Sequence, residues 1–175
     1  MKERAVFLDR DGVINKVIFR DGHPASPRNL KEFVLNDGIR QAIRKLKDFG
    51  FRIIVVSNQP DVARGEITQG LLDLVTQRMR WEIPIDDVYI CPHDDIHQCS
   101  CRKPKPGMLF KAAYQWEIDL SSSFLIGDTW KDIEAGKAAG CKTILLNAPY
   151  NQDVHCDFRV KLLAEAVDII VTTPV

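Results

Sequence analysis

No apolar run in this sequence approaches the roughly 20 residues that cross a bilayer as a helix, and no hydrophobic segment of signal-peptide type stands near its start. A soluble cytoplasmic protein is therefore the expectation. Net charge is absent as well. The 24 acidic and 24 basic residues cancel, so overall charge points neither to nucleic acid nor to a membrane surface as a partner. Internal repeats, low-complexity tracts and linker-like stretches are missing, and residues 1–175 read as one domain long enough to bury a sizeable core. Cysteine is sparse, with five in all. Cys91, Cys99 and Cys101 lie close together while Cys141 and Cys156 stand apart, a pattern that in a reducing cytosol suggests metal binding more than disulfides.

What the sequence does have is short apolar runs alternating with amphipathic segments. Val6, Phe7 and Leu8 form a continuous apolar run, the mark of a strand buried on both faces. Further strands are predicted at 51–56, 87–90, 123–126, 142–146 and 168–171. Between them, a helix with the apolar face Ile39, Ala42, Ile43 and Leu46 is predicted to start from an Asn36 or Asp37 cap and close at Gly50. Others are predicted from a Thr68 cap through Met79, over 108–116 with Pro106 in the first turn, up to Ala139 with Gly140 as its stop, and near 160–166. Residues 16–35 read as a polar loop. Strands alternating with helices imply an α/β fold, a Rossmann-like, doubly wound and mostly parallel sheet with helices on both faces. Such sheets bind ligands beyond the carboxyl ends of their strands.

The polar residues obey that rule. Asp9 and Asp11 follow the first strand, Ser57 and Asn58 the second, and Asp128 the fourth. If the first strand is central and flanked by those two, these groups meet at one mouth. Two crowded carboxylates repel unless a cation joins them, and a hard divalent ion such as Mg2+ suits oxygen ligands. A second cluster stands on its own chemistry. Cys91-x-His93 and Cys99-x-Cys101 offer three thiols and an imidazole, four ligands that close a tetrahedral Zn2+ site with no open position. His97 is an alternative to His93, which is favoured because Pro92 fixes the turn beside it. The metal would hold a polar loop and so place Arg102 and Lys103.

Asp9-x-Asp11-Gly12, Ser57 after an apolar strand, Lys103 before Pro106-Gly107, and Gly127-Asp128-x-x-x-Asp132 together resemble the haloacid dehalogenase superfamily of phosphotransferases. The resemblance implies Asp9 as a nucleophile that forms an aspartyl-phosphate, with Asp11 as general acid and then base. It implies catalytic Mg2+ held by Asp9, Asp128 and the backbone carbonyl of Asp11, with Asp132 orienting that set. Ser57, Asn58 and Lys103 would contact the phosphoryl group. Val62-Ala63-Arg64-Gly65 and the cysteine loop are similar to the D-glycero-D-manno-heptose 1,7-bisphosphate phosphatases and the related histidinol-phosphate phosphatases, which lack a large cap domain. That likeness implies a structural Zn2+ and contacts from Arg64 and Arg102 to a far phosphate or sugar hydroxyls. It also implies a phosphatase for a small phosphorylated sugar. From the balanced charge and the lack of a spanning run, no nucleic-acid or membrane partner is expected, and a monomer is the expected state. The rival reading is a silent binding module that keeps the zinc loop. Thr129 stands where those enzymes commonly carry Lys, Asp21-Gly22-His23-Pro24 replaces a Gly-Tyr-containing loop, and Asn58-Gln59-Pro60-Asp61 replaces Asn-Gln-Ser-Gly.

Overall fold

Apolar runs without alternation build strands buried on both faces; the computed structural model, which describes residues 2–173, has six strands in one sheet, the inner ones largely buried and the two edge strands only in part. In chain order these are β1 (Arg4–Leu8), β4 (Phe51–Asn58), β5 (Asp87–Cys91), β6 (Phe124–Gly127), β7 (Lys142–Leu146) and β8 (Phe158–Val160); a hairpin of β2 (Ile18–Arg20) and β3 (His23–Ala25) lies between the first two. The helices are α1 (Ile39–Asp48), α2 (Gln69–Glu82), α3 (Gly107–Trp116), α4 (Trp130–Ala139) and α5 (Leu163–Thr172). The sheet is parallel with order β5-β4-β1-β6-β7-β8, so β1 is central between β4 and β6 as expected.

Side chains alternate across a strand, and β1 divides its own accordingly. Val6 and Leu8 join one buried cluster with Ile39, Ile43 and Leu46 of α1 and Val167 and Ile170 of α5. Ala5 and Phe7 join another with Met108, Leu109 and Ala112 of α3 and Ala135 and Ala139 of α4. Helices thus cover both faces. The inserts between sheet elements are the small hairpin and a cysteine-containing loop, not a large cap. Among the described residues no helix is long and apolar enough to cross a membrane.

The structure departs from the sequence reading in four places. Helix α1 starts from Gly38, in the left-handed conformation at φ 79°, without a side-chain cap. Asn36 is otherwise engaged, since its amide donates to the carbonyls of Gly12, Val13 and Asn15 at 3.1, 2.9 and 3.3 Å. Pro106 sits at the N-cap of α3, one residue before the first turn. Residues 16–35 are not all loop, because Asp21 and Gly22, at φ 50° and 78°, turn β2 back onto β3. Two positive φ values in an Asp-Gly pair are the signature of a tight hairpin turn. Finally, 168–171 is helical, not a strand, and the last strand comes earlier, at β8. Leu163, Ala166, Val167 and Ile170 recur at helical spacing and bury one face of α5, which overrides the β-branched run Ile169-Ile170-Val171.

Candidate active site

Strand β1 ends where the backbone N–H of Asp9 donates to Ile126 of β6 at 3.0 Å. The chain then turns, and Gly12 takes φ 86°, a conformation that costs a residue with Cβ. Space forbids a Cβ there as well, since one would lie 2.0 Å from Asp128 Oδ2. Gly12 is what lets the β1 turn close against the carboxylate that follows β6.

Lys103 lies at the centre, 2% exposed. Its ammonium donates to Asp9 Oδ1 at 2.9 Å, to Asp132 Oδ1 at 2.6 Å and to the Val56 carbonyl at 2.8 Å, so all three protons have acceptors. Burial disfavours its charge, but Asp132 and Asp9 outweigh burial and hold its pKa well above the ordinary lysine value. Asp132, fully buried, accepts on its other oxygen from the N–H and hydroxyl of Thr129 at 3.0 and 2.6 Å. Asn58 fastens the lysine's backbone: its Nδ2 donates to the Lys103 carbonyl at 2.9 Å and its Oδ1 accepts the Lys103 N–H at 3.0 Å. Its amide, expected as a phosphate contact, is therefore engaged at both ends.

The two carboxylates of the first motif sit in opposite electrostatic settings. Burial, then the neighbouring Asp132 and Asp11, outweigh Lys103 and push the Asp9 carboxyl up to about 7. Burial also raises Asp11, but the charge and hydrogen bonds of Arg10, with those of Gln59 and Ser26, outweigh it and hold Asp11 below the usual carboxylate range. Arg10 forks onto Asp11 with two bonds of 3.0 Å, while Ser26 Oγ and Gln59 Nε2 donate to Asp11 Oδ2 at 2.8 Å each. Gln59 also donates to Ser57 Oγ at 2.8 Å. Ser57, 1% exposed, is thus tied into the network around Asp11.

Asp128 completes the mouth at 3% exposure. Burial, then Asp9 and Asp132, push its carboxyl well above the usual range. Its Oδ1 has no hydrogen-bond partner, a costly state for a buried oxygen. Oxygens of Asp9, Asp128 and Asp132 lie within 4.8 Å of one another. Raised carboxyl pKa values together with an unpartnered buried oxygen fit a hard cation, which would relieve both. The side chain of Asp11 faces Arg10, Ser26 and Gln59, outside that set.

The cysteine loop is equally compact. The Sγ atoms of Cys91, Cys99 and Cys101 are 3.2–3.6 Å apart, and His93 Nδ1 lies 3.6 and 3.4 Å from those of Cys91 and Cys101. His97 is outside the set, its Nδ1 engaged with the Asp94 backbone, so His93 is the imidazole of the cluster. Four thiol or imidazole donors at these spacings fit a tetrahedral metal. The loop packs on the start of α3, where a Cβ on Gly107 would lie 2.2 Å from the Ser100 carbonyl.

A cavity of about 320 Å³ opens over this floor, lined by Asp9, Asp11, Asp128, Arg64 and Arg102 among others. The two arginines, expected to face substrate, line it with carboxylates already attached. Arg64 forks onto Asp94 at 2.6 and 2.9 Å, and Arg102, 7% exposed, holds Asp95 at 2.6 Å. Sequence reasoning missed Arg10, Ser26, Gln59, Tyr150 and Asn151. The Tyr150 hydroxyl donates to Asp128 Oδ2, and Asn151 Nδ2 donates to the Asp128 carbonyl at 2.7 Å. Arg10 and Gln59 flank motif residues and were open to notice. Nothing in the sequence marks the loop after β7.

A family model described as "HAD-hyrolase-like" matches residues 100–153. The chain is 38% identical over 154 residues to the D-glycero-beta-D-manno-heptose-1,7-bisphosphate 7-phosphatase of Escherichia coli (strain K12), covering 81% of this chain and 78% of that one. It is 36% identical to the D-glycero-alpha-D-manno-heptose-1,7-bisphosphate 7-phosphatase of Burkholderia mallei, covering 99% and 91%. Its fold superposes with a TM-score of 0.85 on the D,D-heptose 1,7-bisphosphate phosphatase of B. bronchiseptica complexed with magnesium and phosphate, at 26% identity and covering 96% and 98% of the two chains. Relatedness of that depth and coverage means that the chain belongs to the haloacid dehalogenase superfamily of phosphatases, in the family of the heptose-1,7-bisphosphate 7-phosphatases.

Proposed function

We propose that this phosphatase removes one phosphate from a heptose 1,7-bisphosphate in the cytoplasm, through an aspartyl-phosphate on Asp9. The observation that carries the reading is the pairing of two differently tuned carboxylates at the end of the central strand, Asp9 against Lys103 and Asp11 against Arg10. Asp9 attacks phosphorus as the bond to the sugar oxygen breaks, and Asp11 gives that oxygen a proton. Asp11 then takes a proton from the water that attacks the aspartyl-phosphate and releases phosphate. The Arg10 contact favours ionised Asp11, the form needed in this second half. The first half needs a proton on Asp11, so opening of the Arg10 pair belongs to the substrate-bound state.

Lys103 supports this chemistry by offsetting charge on Asp9 and on the incoming phosphoryl oxygens. Asp9, Asp128 and the Asp11 carbonyl would hold Mg2+, which when bound neutralises part of the crowded negative charge and orients the phosphoryl group. Cys91, His93, Cys99 and Cys101 would hold a structural Zn2+ that fixes the loop carrying Arg102 and Lys103; the five free cysteines suit a reducing compartment.

The second phosphate needs a cation of its own. Among the described cavity-lining residues Arg20, Arg28, Arg64, Arg102 and Lys103 each pair with a carboxylate. Lys131 lines the cavity with no carboxylate among the described residues within 4.0 Å, its charge reaching Asp95 at longer range and its ammonium 5.8 Å from the Trp130 ring centre. We assign it to the far phosphate, in place of the lysine that Thr129 has displaced; the Thr129 hydroxyl turns inward to Asp132.

Turnover of a panel containing heptose 1,7-bisphosphates of both anomers, histidinol phosphate and nucleotides tests the reading. A heptose bisphosphate should give the highest kcat/KM. Preference for histidinol phosphate, or no Asp9-dependent turnover of any member, would overturn it.

A further inference from the structure

The loop after β7 holds Asp128 at both its ends. Tyr150 donates its hydroxyl to Oδ2, and Asn151 donates to the main-chain carbonyl at 2.7 Å and to that of Leu146 at 2.9 Å. Asn151 is 2% exposed and is itself held, since its Oδ1 accepts from the Ala148 N–H at 2.9 Å and from Arg159 at 3.2 Å. On the other side the carboxylate fills the space that a Cβ on Gly12 would take, since such an atom would lie 2.0 Å from Oδ2. One oxygen of Asp128 is therefore capped, and Oδ1 is left with no partner.

The tyrosine ring is held in turn. Phe19, at the middle of β2, packs edge-on against it with ring centres 6.0 Å apart. The same hairpin ends near Ser26, which donates to Asp11 at 2.8 Å. The hairpin thus braces both carboxylates, Asp11 through Ser26 directly and Asp128 through the Phe19–Tyr150 stack.

From this geometry we infer that Tyr150 is a positioning residue for the Mg2+ site: its hydroxyl fixes the Asp128 carboxylate so that Oδ1 is presented to the ion, and the hairpin fixes Tyr150. The inference rests on the proposed function for the presence of Mg2+, and it goes beyond it by assigning the cation's affinity to a loop and a hairpin remote from the signature motifs. A hydrogen-bond partner that orients a metal ligand is worth about 10- to 100-fold in affinity.

Calorimetric titration of Mg2+ into the zinc-loaded protein, wild type against Tyr150→Phe, tests this. The substitution removes only the hydroxyl and keeps the ring against Phe19. The Mg2+ dissociation constant should rise about tenfold or more. A tyrosine that served folding alone would instead lower the unfolding midpoint and leave the Mg2+ constant unchanged, which overturns the inference. Should Tyr150→Phe not fold, Phe19→Ala, at a half-exposed position, decides in its place: a weaker Mg2+ constant supports the inference and an unchanged one overturns it. Wild-type protein that binds no Mg2+ overturns the metal part of the proposed function as well. Wild-type binding with an unaltered Tyr150→Phe constant overturns this inference alone.

Discussion

A carboxylate's role follows from what surrounds it, and Asp9 and Asp11, two residues apart, show how far that can separate neighbours. Asp9 has a lysine in common with Asp132, and burial raises its pKa; Asp11 has an arginine fork and two neutral donors, and they lower it. Exchanging either for asparagine keeps size and removes charge, yet the two changes act on different steps. Asp9→Asn should reduce turnover to background and leave no acid-stable phosphate on the denatured protein, because no nucleophile remains. Asp11→Asn should slow turnover by about 10²–10⁴-fold through lost proton transfer, with labelled phosphate still trapped on Asp9. Rapid-quench labelling distinguishes them. Wild-type rates in Asp9→Asn, or equal labelling of both variants, would exclude these roles. Lys131 belongs to the same scale. Lys131→Met should raise KM for a bisphosphate about tenfold, the cost of one charge-assisted contact of about 1.5 kcal/mol, and leave KM for a monophosphate unchanged. An equal effect on both substrates would remove Lys131 from the far phosphate.

Elements bring such residues together, and the cysteine loop has the longest reach. Cys91 ends β5 at the edge of the sheet, and Cys101 precedes by two residues the lysine that sits against central Asp9. Cys99→Ser should lose zinc by elemental analysis, raise KM as Arg102 and Lys103 loosen, and lower kcat because Lys103 also offsets charge. A zinc-free variant with unaltered kinetics would make the cluster incidental. The loop was open to sequence reading because four soft donors stand close along the chain. So were the strand ends, where apolar runs give way abruptly to Asp9, Ser57 and Asp128. Asp21-Gly22 carried a hairpin signal, but its flanking strands of three residues are too short for alternation to register. Tyr150 and Asn151 left no trace, since their part depends on a loop from β7 folding back over the end of β6. In α5 the local β-branched signal competed with helical spacing, and burial against α1 decided for the helix.

Across the whole molecule the site joins two halves of a sheet. The chain lays down β1, β4 and β5 on one side, then crosses to build β6, β7 and β8 on the other. The order reverses beside β1, the place where open α/β sheets bind ligands. Lys103, arriving from the β5 side, bonds both Asp9 after β1 and Asp132 in α4 beyond β6. Ligands that draw these groups together bind the folded sheet and not the unfolded chain, so they should stabilise both halves as one. At 100 times its dissociation constant a ligand adds about 2.7 kcal/mol, which for a domain of this size raises the midpoint by about 5–10 °C. Inorganic phosphate with Mg2+ at that excess should therefore shift the unfolding curve by this amount. In a Trp130→Phe background, which removes the tryptophan at the start of α4, fluorescence reports on the β5 side through Trp81 and half-buried Trp116, whose indole N–H donates to Asp87 at 3.0 Å, while far-ultraviolet circular dichroism reports on all helices. The two signals should move together, and the shift should vanish in Asp128→Ala, which keeps the sheet but loses a ligand oxygen from each half's meeting point. If fluorescence and dichroism separate on adding the ligands, the halves unfold independently and the mouth does not couple them.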